Sequence, residues 1–352
     1  MRIGNNNPIY IEHDFTTFKK YFRYHIGTHK NINCLILIDA FINDNYLDEV
    51  KSIINNSNFK HIEIIYYNSD ENIKNIYEII NIWNILDKNN FNRNDVIICI
   101  GGGTISDLGG FAAATFKRGL NVINIPTTLL SMVDAGIGGK NGINFNNNKN
   151  EIGTYYYPLF TFIYPEFLNT LTEIDILSGY GEIIKYGLLL NKETINEILK
   201  SNPCKIPNTQ IIRKSVQYKH HIIKIDPLEK NRRKILNLGH TLGHAFESYK
   251  LSQNAPTPHG ICVAWGLQYS LKYSEKVLNF SPYWSQKVID WLQIWYGKPP
   301  VIAFDELLIF LVQDKKNLDE KINFILLYEI GKPKINKFTI EELKQLYSSI
   351  IF

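Results

Sequence analysis

The sequence has 352 residues, of which 45% are hydrophobic and 20% charged, as is ordinary for a globular protein of about two domains. A net charge of +4, spread along the chain, gives no support for nucleic-acid or membrane binding. The beginning of the chain lacks the apolar segment of a secretory signal, and no apolar run is long enough to span a bilayer. The cysteines, Cys34, Cys99, Cys204 and Cys262, are far apart in sequence, which argues against a zinc knuckle or a redox pair. We therefore expect a reduced, cytoplasmic enzyme.

The first part of the chain alternates apolar, strand-like runs with helical periods. Strands are predicted at residues 34–39, 62–66, 96–100 and 122–125. Helices are predicted at residues 71–88 and 106–115, the second with Thr104 or Ser106 as its cap. This alternation predicts an α/β domain over residues 1–154, Rossmann-like and with a mostly parallel sheet.

The later part of the chain is dominated by long amphipathic segments. Helices are predicted at residues 173–190, 191–200, 209–224, 239–250, 260–276, 283–297, 304–312 and 339–350. One strand is predicted at 322–328, and the polar tract 144–150 is interpreted as a loop. A mainly α-helical domain is therefore expected over residues 155–352.

A glycine turn follows the third predicted strand. Gly101, Gly102 and Gly103 stand between a strand and a helix, where backbone N–H groups and the helix dipole can hold a phosphate. Asp39, at the end of an earlier strand, is placed to accept hydrogen bonds from a ribose. Such a turn is often purely structural, and the G-x-G-x-x-G pattern is absent. Lys140 follows two further glycines, which favours contact with an anion over the solvated state usual for a loop lysine.

Three histidines and one glutamate form a candidate metal site. His240 and His244 are spaced i, i+4 and share a helix face, while His259 begins the next predicted helix. Glu182 lies on a helix flanked by glycines. A single histidine on an apolar helix is usually a hydrogen-bonded core residue, but one Glu with two His makes a catalytic zinc site with an open position. The spacing does not tell which two histidines would bind.

Polar and cationic side chains precede His240 and recur near the end of the helical part. They are Lys219, Glu229, Arg233, Asn237, Lys315 and Lys316. Taken singly, they are ordinary solvated charges or helix pairs worth a few tenths of a kcal/mol. Together with a metal site and a nucleotide turn, they predict a small, highly anionic substrate.

These motifs resemble those of the 3-dehydroquinate synthase family, within the sugar-phosphate cyclase superfamily. The matching stretches are residues 101–111, 117–119, 126–140, 149–150, 181–187, 236–244, 259–260 and 314–316. They occur in the family's order, and the resemblance runs from about residue 33 to residue 331. It implies the dehydroquinate synthase-like fold.

The resemblance also implies site residues. It makes Glu182, His240 and His259 the zinc ligands and places His244 in the substrate pocket. The NAD-binding residues would be Asp39, Glu71, Lys74, Gly101, Gly102, Gly103, Thr104, Asp107, Thr127, Thr128, Leu130, Asp134, Lys140, Lys149, Phe167, Thr170, Leu171 and Asp175. The substrate residues would be Asp134, Lys140, Asn150, Lys185, Lys219, Glu229, Arg233, Asn237, His244 and one of Lys315 and Lys316. Those expected to take part in catalysis are Lys140, Lys185, Lys219, Arg233, Asn237 and His244. Arg118 resembles the family arginine that reaches the neighbouring subunit's substrate site, which implies a homodimer.

The family's reaction is a phosphate elimination in the shikimate pathway of aromatic amino-acid biosynthesis. It converts 3-deoxy-D-arabino-heptulosonate 7-phosphate, a phosphorylated keto-acid sugar, into 3-dehydroquinate and phosphate. NAD transiently oxidises the C5 hydroxyl, phosphate leaves, the hydride returns, the ring opens and an intramolecular aldol closes the carbocycle. Zinc, or cobalt in its place, would act as a Lewis acid. Another sugar-phosphate cyclase and a metal-dependent polyol dehydrogenase are the alternatives. The carboxylate-binding residues argue against the first, and the lysine phosphate pocket argues against the second.

Overall fold

The computed structural model describes residues 1–27, 32–56, 59–68, 70–146, 148–313 and 321–352. The chain divides into two units, Met1–Thr172 and Glu173–Phe352. This division comes later than the predicted boundary after residue 154, because the strand Phe160–Ile163 pairs into the sheet of the first unit. No helix in the described parts of the chain has both the length and the apolar character needed to cross a membrane.

The first unit is built on a sheet to which seven of the described strands belong. The strands of this unit are β1 (Arg2–Ile3), β2 (Ile9–Ile11), β3 (Ile32–Asp39), β4 (Phe59–Tyr67), β5 (Val96–Gly101), β6 (Asn121–Pro126), β7 (Lys140–Phe145), β8 (Asn148–Tyr155) and β9 (Phe160–Ile163). The sheet order is β1-β2-β9-β6-β5-β3-β4, while β7 and β8 form a separate hairpin. Every neighbouring pair from β2 to β4 is parallel, and β1 pairs antiparallel with β2. The predicted mostly parallel sheet is therefore confirmed.

The helices of the first unit lie between these strands in the sequence. They are α1 (Phe18–Ile26), α2 (Ala40–Asn45), α3 (Leu47–Asn56), α4 (Ile76–Lys88) and α5 (Gly103–Thr115). Helix α4 begins later than predicted, because Asn75 Oδ1 accepts hydrogen bonds from Tyr77 N and Glu78 N and so caps the helix there. Strands β3 and β5 are buried on both faces, as central parallel strands are, and Cys34 and Cys99 lie in them as buried apolar residues.

The second unit is mainly helical, as predicted. Its helices are α6 (Glu173–Leu190), α7 (Lys192–Leu199), α8 (Thr209–Ile225), α9 (His240–Ser252), α10 (His259–Leu278), α11 (Pro282–Tyr296), α12 (Phe304–Gln313) and α13 (Ile340–Ser348). An antiparallel hairpin joins β10 (Lys321–Glu329) to β11 (Lys332–Thr339). The sequence predicted β10 but not β11, because β11 is largely exposed and polar and carries no apolar run.

Helix α10 packs against α6 and α9 at glycines, with backbone against backbone. A Cβ added to Gly181 would lie far inside normal contact of the Gly260 carbonyl oxygen, and one added to Gly260 would strike that of Ser178. On the other side of α10, a Cβ on Gly266 would strike the Gly239 carbonyl oxygen. Real Cβ atoms keep at least 3.0 Å from such neighbours, so these positions exclude any side chain and fix how closely the helices approach.

Candidate active site

The side chains of Glu182, His240 and His259 converge in the second unit. Glu182 Oε1 lies 3.3 Å from His240 Nε2 and 3.5 Å from His259 Nε2. Both oxygens of Glu182 are buried. A buried carboxylate needs compensating partners, and here Oε2 lies against the Lys185 ammonium while Oε1 faces two imidazole nitrogens. This donor set therefore fits a divalent cation.

The two histidines turn the same ring nitrogen toward Glu182. His240 Nδ1 lies 3.1 Å from the Leu238 carbonyl oxygen, and His259 Nδ1 lies 2.9 Å from Glu247 Oε2. The Nδ1 atom of each histidine thus has an acceptor, and each Nε2 atom faces Glu182. Metal-binding histidines are commonly held in this way, with the second nitrogen donating to a carbonyl or a carboxylate.

His244 belongs to the same cluster. The ligand atoms of His240, His244 and His259 all lie within 4.8 Å of one another. The ring of His244 is centred 5.2 Å from that of His240 and 5.6 Å from that of His259. These distances keep all three histidines near one point, so the choice between His244 and the others as ligands rests on the resemblance.

The electrostatics of the cluster favour the metal-binding forms of Glu182 and His240, but the protonated form of His259. Burial opposes the charged form of Glu182, but the charge of Lys185, together with the nearby imidazole of His240, outweighs it and holds the pKa of Glu182 well below its usual range. Burial lowers the pKa of His240 to about 4, so this imidazole is neutral at pH 7. Burial also disfavours the charged form of His259, but Glu247 and Glu182 raise its pKa to about 10. An ionised Glu182 and a neutral His240 are the states in which these side chains coordinate metal.

Glycines next to the candidate ligands explain why the ligands meet. Gly181 precedes Glu182 on α6 and Gly260 follows His259 on α10, and these two glycines form the backbone contact between the helices. Gly239, in the left-handed conformation with φ of 81°, caps α9 directly before His240. The sequence shows these glycines beside the candidate ligands, and the structure shows that each allows another backbone to approach closely.

Three cations that were predicted to bind substrate are almost fully buried in the second unit. Lys185 is 1% exposed, Arg233 2% and Lys219 6%. The Lys185 ammonium lies against Glu182 Oε2, and Arg233 Nη1 donates to the Pro227 carbonyl oxygen at 2.8 Å. The interpretation of Lys219 and Arg233 as solvated surface charges is therefore excluded. A buried cation needs anionic or hydrogen-bonding partners, and a bound anion can supply them.

Asp226, which the sequence analysis missed, organises the loop that carries Arg233. Its carboxylate accepts hydrogen bonds from the backbone N–H groups of Lys230, Asn231 and Arg233. Within the same loop, Asn237 Nδ2 donates to Glu229 Oε1 at 3.0 Å. Glu229 has a φ of 55°, which is uncommon for a residue with a side chain. The Asp-Pro pair at residues 226–227 is a turn signal that could have pointed to this loop.

The glycine turn of the first unit has the predicted place but not the predicted cap. Strand β5 ends at Gly101 and α5 begins at Gly103, with Gly102 at the cap position and no side-chain cap. Thr104 and Ser106 lie inside the helix, so the prediction that one of them caps it is wrong; Ser106 Oγ instead donates to the Gly103 carbonyl oxygen. Gly102 thus offers no side chain that would occupy the first N–H groups of α5, and such a helix start is suited to binding a phosphate.

Three predicted binding residues surround a fourth, the buried Lys74, beside this turn. Lys74 Nζ lies 2.7 Å from Asp107 Oδ2 and 2.6 Å from Asn150 Oδ1. Glu71 lies 3.6 Å from Lys74 Nζ and accepts a hydrogen bond from Asn144. Burial opposes the charge on Lys74, yet Asp107 and Glu71 raise its pKa. The structure therefore unites Glu71, Lys74, Asp107 and Asn150, which are far apart in sequence.

The remaining predicted residues of the first unit are placed as follows. Asp39 caps α2, and Thr127 N donates to the Gly101 carbonyl oxygen. Leu130 and Asp134 lie at a π-helical turn, Ser131–Ala135, a feature often found at functional sites. The ring of Phe167 is fully buried against Tyr46 and Tyr164, so it belongs to the core. The other positions, at the surface or at chain turns, are Arg118, Thr128, Lys140, Lys149, Thr170 and Leu171.

Asp175 lies exposed in the first turn of α6, in the second unit. Lys315 and Lys316 lie outside the described residues. The structure therefore brings together the side chains of the metal cluster and of the Lys74 cluster, and it buries Lys185, Lys219 and Arg233. The choice between Lys315 and Lys316 stays a prediction.

The chain is similar to known proteins over most of its length. Residues 64–178 match the sequence model of the 3-dehydroquinate synthase N-terminal domain, and residues 179–317 match that of the C-terminal domain. The 3-dehydroquinate synthase of Parabacteroides distasonis is 39% identical, over 81% of this chain and 82% of that protein. The 3-dehydroquinate synthase of Clostridium tetani is 37% identical, over 98% of this chain and 93% of that protein.

Solved structures share the fold at lower identity. A 2-deoxy-scyllo-inosose synthase complexed with carbaglucose-6-phosphate, NAD+ and Co2+ has a TM-score of 0.83, at 22% identity over 98% of both chains. The 2-epi-5-epi-valiolone synthase of Streptomyces hygroscopicus, with NAD+ and Zn2+ bound, has a TM-score of 0.82, at 22% identity over 98% of this chain and 97% of that chain. An iron-containing alcohol dehydrogenase is less similar, with a TM-score of 0.66 and 14% identity over 98% of this chain and 97% of that chain.

Proposed function

Because this chain belongs to the 3-dehydroquinate synthase family, we propose that it converts 3-deoxy-D-arabino-heptulosonate 7-phosphate into 3-dehydroquinate and phosphate. The observation that carries the proposal is the convergence of Glu182, His240 and His259 next to the buried ammonium of Lys185. A site with metal-binding donors and a buried cation suits a substrate that has both hydroxyl and anionic groups.

We further propose that Glu182, His240 and His259 hold zinc, or cobalt in its place, and that the Gly101–Gly103 turn holds the phosphates of NAD. The donor chemistry of the cluster and the uncapped start of α5 support these assignments. When bound, the metal supplies Lewis acidity to the substrate hydroxyls, and NAD accepts and returns one hydride. Lys74, held by Asp107 and Asn150, would keep the polar wall of the nucleotide site in place.

The anionic ends of the substrate need separate partners. We propose that Arg233 binds the carboxylate, since a guanidinium offers two parallel N–H donors and its backbone is fixed by Asp226. Lys140, Lys185 and Asn150, together with Lys315 or Lys316, would bind the phosphate as positive charges and donors. Lys219, Asn237 and His244 would position the hydroxyl groups, together with Asp134 and Glu229.

The chain is further proposed to act as a homodimer in the cytoplasm, with Arg118 reaching the partner's substrate. Support comes from the backbone at this point: Lys117, Arg118 and Gly119 have φ values of 47°, 65° and 127° in succession. Such conformations cost energy in residues with side chains and are often kept at functional positions. They leave Arg118 exposed.

The proposed reaction is tested by phosphate release from the heptulosonate phosphate with catalytic amounts of NAD. We expect one phosphate per turnover without accumulation of NADH, and we expect deuterium at C5 of the substrate to stay in the product. Glucose 6-phosphate and sedoheptulose 7-phosphate serve as control substrates, because neither has the carboxylate proposed to contact Arg233. NADH that rises in step with product would refute the proposal in favour of a dehydrogenase.

A further inference from the structure

The two inward-facing histidines of the metal cluster are supported by acceptors of different charge. His240 Nδ1 is held by a neutral backbone carbonyl, that of Leu238 at 3.1 Å. His259 Nδ1 is held by a carboxylate, Glu247 Oε2 at 2.9 Å. We propose that Glu247 is a positioning residue, which fixes the ring of His259 and strengthens Nε2 as a metal donor. This inference rests on the metal site of the proposed function.

Glu247 is placed to brace one helix against another. It lies on α9, seven residues after His240, so one helix supplies a ligand of its own and the support for a ligand on α10. The two helices approach closely beside it, since a Cβ on Gly243 would lie 3.1 Å from Val263 Cα. The carboxylate of Glu247 is 13% exposed and the ring of His259 27%, so the pair is largely shielded from water. A shielded charged hydrogen bond holds a ring more firmly than an exposed one.

The position of His259 at the start of its helix explains why its ring depends on Glu247 for its orientation. His259 is the first residue of α10, and the residue at the cap position before it, Pro258, makes no side-chain hydrogen bond to the helix. The ring orientation is therefore set by side-chain partners, and Nδ1 lies 2.9 Å from Glu247 Oε2. With Nδ1 held by Glu247, Nε2 faces Glu182 Oε1, 3.5 Å away. An ordinary surface ion pair would not require the second nitrogen to face a buried carboxylate.

The inference is tested on the full chain by measuring affinity for zinc and for cobalt after removal of bound metal, with a competing chelator. Glu247→Ala removes the acceptor, and we expect metal binding about 10–100-fold weaker. Glu247→Gln keeps the size and one oxygen acceptor but loses the charge, and we expect an intermediate loss. Glu275→Gln is the matched control, because Glu275 lies on α10, sixteen residues after His259, in a part-buried pair with Lys272 at 3.0 Å; the metal affinity of this variant should not change.

Two further measurements separate positioning from general stability. The visible spectrum of the bound cobalt should change in both Glu247 variants, and thermal unfolding of the metal-free protein should change little in Glu247→Gln. Metal affinity in a folded Glu247→Ala or Glu247→Gln protein equal to that of the control variant would overturn the inference. If the unaltered chain binds neither metal, the metal site itself is wrong and the inference falls with it. If the unaltered chain and the Glu247 variants bind metal with equal affinity, the metal site stands and the role of Glu247 is refuted.

Discussion

One methyl group at Gly181 should separate the two helices that carry Glu182 and His259. In the Gly181→Ala protein, the new Cβ on α6 would fall well inside 3.0 Å of the Gly260 carbonyl oxygen on α10. The obstructing atom belongs to a helix backbone, so no side-chain rotation relieves the contact. The helices must move apart instead.

The size of the effect follows from this geometry. Ordinary contact of a Cβ begins at 3.4 Å, and the distance from the new Cβ to the Gly260 carbonyl oxygen falls short of this by roughly 1 Å. Overpacking of this kind in a packed interior costs about 1–3 kcal/mol. The same movement shifts Glu182 relative to His259 Nε2, now 3.5 Å from its carboxylate. Misplacement of reacting groups by about 1 Å costs about 100-fold in rate, so activity and metal affinity should fall together.

The assay compares Gly181→Ala with Gly187→Ala, on the same helix. A Cβ at Gly187 meets the ends of Ile198 and Ile195, at 2.6 and 3.1 Å, which are flexible side chains away from the metal cluster. Both variants should lose free energy of unfolding in urea, but only Gly181→Ala should lose zinc affinity in a chelator competition. Equal zinc affinity in the two proteins would refute the claim that the glycine contact sets the ligand geometry.

Four more substitutions test other parts of the site. Gly102→Ala should change the free energy of unfolding by less than about 1 kcal/mol, since φ is −71° and the Cβ has a normal 3.4 Å contact, yet it should raise the KM for NAD if a phosphate lies there; an unchanged KM would place the phosphates elsewhere. Arg233→Lys keeps the charge but loses the two parallel N–H donors, so the transition-state binding energy, measured from kcat/KM, should fall by about 1.5–3 kcal/mol. A substrate without a carboxylate should not show this loss. His259→Ala should abolish stoichiometric zinc, measured by atomic absorption, while circular dichroism stays unchanged; retained zinc would point to His244 as the ligand. Inactive Arg118→Ala and Lys185→Ala proteins, when mixed, should regain some activity as hybrid dimers, and no recovery after confirmed subunit exchange would contradict a site shared between subunits.

The sequence predicted the strands that are long apolar runs. Strands β3 and β5 are central and parallel, so they appear as uninterrupted apolar runs that no other element explains. The hairpin β7–β8 was missed, and residues 144–150 were expected to form a loop, because its pairing depends on backbone hydrogen bonds and its residues are largely Asn, Gly and Lys. Strand β9 was missed because its four residues are too few to show a period.

The same distinction applies to the candidate site. A cluster of Glu182 with His240, His244 and His259 could be predicted because metal binding requires particular residue types, and these types are unusual on helices otherwise rich in apolar residues. The choice of His240 and His259 among the histidines came from the family resemblance. Glu247 and Asp226 could not be predicted, because a carboxylate on a helix or in a turn is normally solvated. Only the structure shows that one carboxylate receives a histidine N–H and the other three backbone N–H groups.

The glycines beside the ligands link sequence to site more directly than the ligands themselves. A metal site needs its donors held within about 0.5 Å, a tolerance that side chains packed between helices do not guarantee, because each has several rotamers. Backbone contact at Gly181 and Gly260 removes those rotamers from the interface, so the separation of α6 and α10 is set by atoms that have no alternative positions. Gly181 precedes Glu182 and Gly260 follows His259, so each ligand is attached directly to a residue of the backbone contact, and a change in the helix separation moves the ligand with it.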